Sequence, residues 1–291
     1  YSLVIGPNVL DYAGNPMNQD ADAAWGEDLA DRYAAVSTII EPVFYVNDNS
    51  TAYDNWCTAP GNDANDGLSP ARPKATVQSV LSTYDLAPGD VIRIDTGAYT
   101  LTSNIQVGAD DGGSNLASVR FEASPYGVSI DRNSTSSSAY AWNIAAPYVE
   151  LTTASSTRYP DRAQSYMKIT GGYRGISAAA DNISLSRLDV HANVQAAVYL
   201  SGSSSHYLRV QNVIARDSSN SSSGAGIYLD SGDHATIRNC TIVGNGKYGV
   251  YITGSVGSVI RDNIIWARGS GDYAIYAKLI YVPGDWDYND L

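Results

Sequence analysis

Ala235-Thr-Ile-Arg-Asn-Cys-Thr-Ile242, followed by Gly249-Val-Tyr-Ile252, sets the pattern for this 291-residue chain. The first stretch recurs as Ile183-Ser-Leu-Ser-Arg-Leu-Asp-Val190, Leu208-Arg-Val-Gln-Asn-Val-Ile-Ala215 and Ser258-Val-Ile-Arg-Asp-Asn-Ile-Ile265. The second recurs as Ala197-Val-Tyr-Leu200, Gly226-Ile-Tyr-Leu229 and Ala274-Ile-Tyr-Ala277, with 23 to 29 residues between successive units. Leu185, Val210, Ile237 and Ile260 fall in one column. The units lack the i, i+3, i+4 spacing of helical repeats and are too short for four-stranded propeller blades. Short alternating strands divided by Asn, Gly and Ser can bury their apolar faces only by stacking, each turn pairing with the turns above and below around one continuous core.

On the Ile-Arg-Asn239 and Ile-Arg-Asp262 motifs and Gly249-Val-Tyr-Ile252, the chain resembles right-handed parallel β-helix repeat proteins of the secreted or cell-surface bacterial type. The resemblance implies an all-β fold, a right-handed parallel β-helix with a short N-terminal capping helix. Ser118-Val-Arg-Phe-Glu122, Tyr148-Val-Glu-Leu151 and Tyr166-Met-Lys-Ile169 read as earlier, less regular turns, making roughly eight turns at this period.

Phe44-Tyr-Val-Asn-Asp48, the loop Gly61-Asn-Asp-Ala-Asn-Asp-Gly-Leu-Ser-Pro70, Ala75-Thr-Val-Gln-Ser-Val-Leu81 and Pro88-Gly-Asp-Val-Ile-Arg-Ile-Asp95 look like the start module of many secreted β-helices. Val77, Val80 and Leu81 stand at helical spacing and are expected to cap the core. Residues 1–41 are similar to the tail of a bacterial Ig-like module or form a linker. Residues 42–95 are then the cap and first turn, and residues 96–291 the β-helix, expected to be truncated at the C-terminal end because the pattern still runs at Ile275. An open coil end and a lone closing segment (Leu3, Val4, Ile5, Ile39, Ile40) suggest head-to-tail self-association or cover by other modules of a longer chain.

Composition narrows the function. Charged residues are 16% against a usual ~25%, so Ser, Asn, Thr, Gly and Tyr supply much of the polar surface. A net charge of -12 with few Lys excludes nucleic acid as a partner, since phosphate binding needs clustered cations. No apolar run reaches the ~18 residues of a membrane span. Cys57 and Cys240 have neither disulfide-framework nor metal spacing and are read as unpaired. The expected location is extracellular or at the cell surface.

Four tyrosines, Tyr199, Tyr228, Tyr251 and Tyr276, occupy one column between inward aliphatics and are expected to point outward as a ladder. Such a ladder can stack sugar rings, bury itself in a partner, or simply stabilise its sheet. Asn212, Asn239 and Asp262 fall at a tight turn, where stacked amides can bond from coil to coil. No cofactor is required. Hard-oxygen loops make Ca²⁺ chemically compatible, with Asp48, Asp63 and Asp66 the candidate ligands, and Asp11, Asp20 and Asp22 a further acidic set. Candidates for acid–base work are Asp189, His191, Arg216, Asp217, Asp230, Asp233, His234 and Lys247, while His206 reads as a loop residue; no catalytic set is assigned. The expectation is a non-catalytic scaffold or adhesin module of a large surface or filament-forming protein, with polysaccharide as an open ligand. The alternative, a polysaccharide lyase or epimerase acting on uronic-acid polymers, rests on fold analogy.

Overall fold

The structure, a computed structural model, describes residues 2–6, 8–18, 21–27, 29–36, 42–202, 207–231, 233–278 and 285–291. Asp20, Ile39, Ile40 and His206 lie outside the described residues. The chain divides into two units, Tyr1–Glu41 and Pro42–Leu291. In the smaller, Ser2–Ile5 pairs antiparallel with Tyr33–Val36, and the buried Asp31 carboxylate accepts the Glu27 N–H at 3.0 Å. These strands make a two-stranded ribbon, and among the described residues no further strand builds it into an Ig-like sandwich.

The larger unit is a parallel coil with three faces. Sheet one has nine strands, from Val43–Val46 to Trp286–Asp287. Sheets two and three have seven each, from Gly97–Thr100 to Ile264–Trp266 and from Ile105–Val107 to Tyr273–Ala277. One strand from each sheet makes a coil. There are accordingly seven complete coils where the sequence suggested roughly eight, with the first and last strands of sheet one stacked beyond them.

Each repeat holds three strands rather than two. Arg187, Asn212, Asn239 and Asp262 take φ of 52 to 60° and break the first stretch into a sheet-one and a sheet-two strand. Left-handed backbone turns the chain sharply in a single residue, and Asn and Asp tolerate it best. For the same reason Tyr148–Leu151 and Tyr166–Ile169, which read as successive turns, belong to sheets one and two of one coil. Amide bonding between coils comes from other asparagines. Buried Asn193 accepts from Gly172 N–H and donates to the His191 carbonyl; Asn245 accepts from Ser218 N–H and donates to the Ala215 carbonyl. Asn263 accepts from Cys240 N–H and donates to the Ile237 carbonyl. Such bonds satisfy backbone groups that the corners would otherwise leave orphaned.

Inside, the columns are continuous. Leu151, Leu185, Val210, Ile237 and Ile260 pair in register and are all 0 to 1% exposed. Ile130, Ile169, Val190, Ala215, Ile242 and Ile265 line sheet two. The helix Val77–Leu81 covers the first coil with buried Val77 and Val80, its N-terminus capped by Thr76, whose hydroxyl accepts the Ser79 N–H. Cys57 and Cys240 are both buried and free. Burial pushes the Cys240 thiol up to about 11, and burial together with the Asp95 carboxylate pushes Cys57 well above its ordinary value. Among the described residues no helix is long and apolar enough to cross a membrane.

Truncating one inward column residue should leave a cavity that a coil clamped on both sides cannot close. Ile237→Ala is expected to cost about 2–5 kcal/mol, read as a lowered urea midpoint. Neither thiol should react with a disulfide reagent until the chain is denatured, and neither should need a reductant first; labelling that requires reduction would refute the free assignment.

Candidate functional site

Sheet three carries the most distinctive surface. Its strands Ala196–Ser201, Ala225–Asp230, Tyr248–Thr253 and Tyr273–Ala277 pair in register, so Tyr199, Tyr228, Tyr251 and Tyr276 form one outward column. Ring centroids are 4.9, 4.5 and 5.6 Å apart along it. A second column lies beside it. Tyr248 stacks on Tyr251 at 4.4 Å and 18°, and Tyr273 packs on Tyr276 at 4.9 Å.

Simple alternation would point Tyr248 inward, three residues from Tyr251. It points outward because two consecutive residues, Gly249 and Val250, face the core. A Cβ at Gly249 would come within 2.4 Å of Ile265 Cγ2 and 2.5 Å of the Ala274 carbonyl oxygen. The equivalent positions are Ala141, Gly175, Ala197, Gly226 and Ala274, all small. That small-residue column was the available sequence signal for the extra tyrosines, as its regularity marks where alternation is broken.

At one position the outward ring is covered rather than exposed. Tyr199 is only 8% exposed. The Arg174 guanidinium lies 3.3 Å from its ring centre and 5.1 Å from that of Tyr140, and donates to Gln195 Oε1 and Ser177 Oγ. The Tyr199 hydroxyl donates to Asp230, whose other oxygen accepts from Thr253. Burial and that bond hold the Tyr199 phenol far above its ordinary value, and burial raises Tyr228 and Tyr248 as well. All three are neutral phenols at physiological pH. Arg174 and Tyr140 come from coils without the clear repeat and gave no signal in the sequence. The platform is therefore Tyr228, Tyr248, Tyr251, Tyr273 and Tyr276, of which Tyr273 is exposed and the other four are half-buried against their neighbours, with Lys247 5.4 Å over Tyr273 at its edge and 3.6 Å from Asp272.

Of the acid–base candidates, four converge on sheet two. Asp189 accepts from Arg216 Nε and Nη2 at 3.1 and 3.0 Å and lies 3.2 Å from His191 Nδ1; Arg216 also donates to Asp217 at 2.8 Å. Burial opposes ionisation of Asp189, but the bonds from His191 and Arg216 outweigh it and hold its carboxyl below the usual range. Each of the three guanidinium nitrogens already donates to one of these carboxylates, whose charges offset its own. Asp233 and His234 stand apart, Asp233 accepting the Val256 N–H and His234 stacked on Tyr207.

The candidate calcium ligands have separate employment. Asp63 accepts from the Ala75 and Thr76 N–H groups, Asp66 from Leu68 N–H and Arg72 Nε, and Asp48 from Ser50 and Ala98 N–H. Asp48 and Asp63 share the wall of a cavity of about 640 Å³ beside the helix. Among the described residues, no three His, Cys, Asp or Glu side chains are grouped to hold a metal ion. Ca²⁺ asks for six to eight oxygens, and each of these three carboxylates accepts backbone N–H bonds in a separate turn.

The right handed beta helix region, a described protein family, matches residues 174–279, the stretch that carries the tyrosine columns. Together with the three parallel sheets, this makes the chain a right-handed parallel β-helix. No curated protein matches it. Among solved structures it is similar to the pectate lyase Pel9A, with 15% identity and a TM-score of 0.53 over 84% of this chain. A rhamnogalacturonan lyase is similar at 14% identity and TM-score 0.53, again over 84% of the chain. The chain spans 58% and 62% of the length of those two proteins, and at such identity the likeness shows the fold alone.

One buried acid stands out. Asp95 is fully buried and saturated by the N–H groups of Asn55, Trp56, Cys57 and Thr96. Its neighbour Asp54, 2% exposed, accepts from Asn47 Nδ2 on one oxygen and has no partner on the other. Burial, then the Asp95 charge, pushes Asp54 up to about 7 from 3.8. Between those values the folded chain holds a proton that the unfolded chain has released, so this group's contribution to stability is present below about pH 4 and lost as pH rises to about 7. Asp54→Asn is expected to remove that decline and raise the thermal midpoint at about pH 8. An unchanged pH profile would contradict the assignment.

Proposed function

We propose that this chain is a non-catalytic extracellular β-helix module that holds polysaccharide along the tyrosine-bearing half of sheet three. The observation that carries the reading is the pair of adjacent tyrosine columns, five contiguous rings with centroids 4.4 to 5.9 Å apart between contacting neighbours. Tyr273, the exposed ring at the end of the platform, and the outer edges of the half-buried rings offer apolar C–H surface and hydroxyls to a sugar. The rings sit on paired strands rather than mobile loops, so their order is settled before a ligand arrives and little entropy is lost on binding. The low-charge, hydroxyl-rich surface suits an extracellular polysaccharide partner.

Eliminative cleavage of a uronic-acid polymer asks for a proton-accepting group beside a cation free to neutralise the sugar carboxylate. The tyrosine nearest a cation, Tyr199, is held protonated, and Arg174 is sandwiched between two rings. The sheet-two His191 has its neighbouring guanidinium occupied. These features favour binding over the lyase alternative, although the two similar solved structures are a pectate lyase and a rhamnogalacturonan lyase.

Calorimetry against a panel of polysaccharide-derived hexasaccharides tests the reading. Tyr251→Ala and Tyr276→Ala should each weaken binding by about 2- to 10-fold, and Tyr251→Phe should retain most of it. Growth of ultraviolet absorbance from unsaturated uronate, on pectate or alginate with or without Ca²⁺, would instead establish the lyase.

A further inference from the structure

A second aromatic corner lies away from the tyrosine face, where the loop 154–166 between sheets one and two meets the loop 47–57 of the start module. The two loops are bolted together across about a hundred residues of sequence. Ser156 Oγ donates to Asn55 Oδ1 at 2.7 Å, Arg158 Nη1 to the Asn55 carbonyl at 2.9 Å, and the Tyr159 hydroxyl to the Asp54 carbonyl at 3.0 Å. Tyr126 supports them from below: its hydroxyl accepts the Tyr159 N–H and its carbonyl accepts from Arg162 Nη2. The result is a pre-set, open pocket of about 370 Å³ lined by Tyr53, Tyr159, Pro160, Asp161 and Arg162.

Tyr53 is the informative residue. Its φ is 65°, a left-handed conformation that costs a bulky side chain roughly 1–2 kcal/mol. The Thr96 hydroxyl holds its carbonyl at 3.0 Å, yet the ring is 53% exposed. Glycine would take this backbone without strain. The ring packs against Arg162 and the edge of Tyr159 and leaves the rest of its surface to solvent. Tyr148, Tyr207 and Tyr288 take the same conformation, with φ of 53 to 60°, so the backbone alone does not mark this position; what sets Tyr53 apart is that it lines a formed pocket.

We infer that this corner is a second binding site, for a neutral sugar ring of a glycan. The Tyr53 and Tyr159 rings meet nearly at right angles, 82° with centroids 6.0 Å apart; Arg162 covers one face of Tyr53, and its remaining exposed surface is available for stacking against the wall that Tyr159 makes. Arg162 lies 3.8 Å over Tyr53 and is held there by Tyr126, while Asp161 is exposed beside it. A sugar hydroxyl both donates and accepts, and this pair supplies one partner of each kind. Of the lining residues one is a cation and one an anion, and the nearby Arg158 over Tyr159 is committed to the Asn55 carbonyl, so the lining carries no net charge to select an anionic or a cationic ligand. The small open shape with an aromatic wall suits a ring rather than an extended peptide or an acyl chain. The site does not rest on the sheet-three reading, and a chain with both sites would grip one glycan twice or two glycans at once.

The test uses residues 1–291 carrying Tyr251→Ala and Tyr276→Ala, so that binding at sheet three is weakened. Cellohexaose, xylohexaose and mannohexaose serve as neutral probes and hexagalacturonate as the anionic one, read by calorimetry and saturation-transfer NMR. At least one neutral probe should bind in the millimolar range or tighter, with Tyr53→Gly and Asp161→Ala each weakening it by about 3- to 10-fold. Asp161 is exposed, so its substitution reports on binding even if Tyr53→Gly perturbs the loop. The inference is overturned if no neutral probe binds, if both substitutions leave binding unchanged, or if hexagalacturonate binds more tightly than every neutral probe. Failure of the sheet-three reading would show separately, as an unaltered affinity in the starting double variant.

Discussion

Parallel pairing without slippage is the constraint on which everything else rests. Once Leu185 sits on Leu151 and beneath Val210, each outward residue is assigned a neighbour in the coils above and below. A slip of one residue would exchange the inward and outward sets, sending aliphatic columns into water and polar ones into the core. The buried columns therefore select the register, and the outward ladders inherit it. Tyr228 stands between Tyr199 and Tyr251 because Ile227 stands between Val198 and Val250. Buried asparagines reinforce the choice at the corners, since each amide finds both of its backbone partners only in the correct alignment.

Where the sequence repeats, this logic could be read directly. The Leu185 to Ile260 column, the Tyr199 to Tyr276 column and the positive-φ corner at Asn212, Asn239 and Asp262 are periodic, and the structure has them all. The capping helix was legible too, from Val77 and Val80. Tyr248 and Tyr273 were hidden because strict alternation fails where two adjacent residues face inward. Arg174 closes over Tyr199 from a coil whose sequence shares little with the later ones, so the burial of that one tyrosine was invisible. Burial likewise separates Asp54 and Asp95 from the many Asp residues that serve exposed turns, and no local pattern encodes it. The loop 154–166 meets residues 47–57 through contacts about a hundred positions apart, beyond the reach of any motif.

Several of the few cations in this acidic chain are committed to carboxylates or aromatic faces. Arg72 pairs with Asp66, Arg216 with Asp189 and Asp217, and Arg261 with Asp285. Arg93 lies over Tyr45 and Trp56, Arg162 over Tyr53, and Arg174 between Tyr140 and Tyr199. Exposed pairs contribute little to stability. Their larger effect is to leave the surface dominated by hydroxyls, amides and phenols, a chemistry that meets uncharged polar ligands on equal terms and repels few of them.

The hydrogen bonds joining one coil to the next run along the axis of the stack. A pull along that axis therefore loads every interface in series, and the coil with the weakest ladder yields first while the others stay closed. Sheet three offers six-residue strands in its later coils, whereas the matching strands of sheets one and two are three residues long. The tyrosine-bearing face is then also the stiffest edge of the coil under tension, and a glycan anchored there would draw on the part of the molecule least able to stretch.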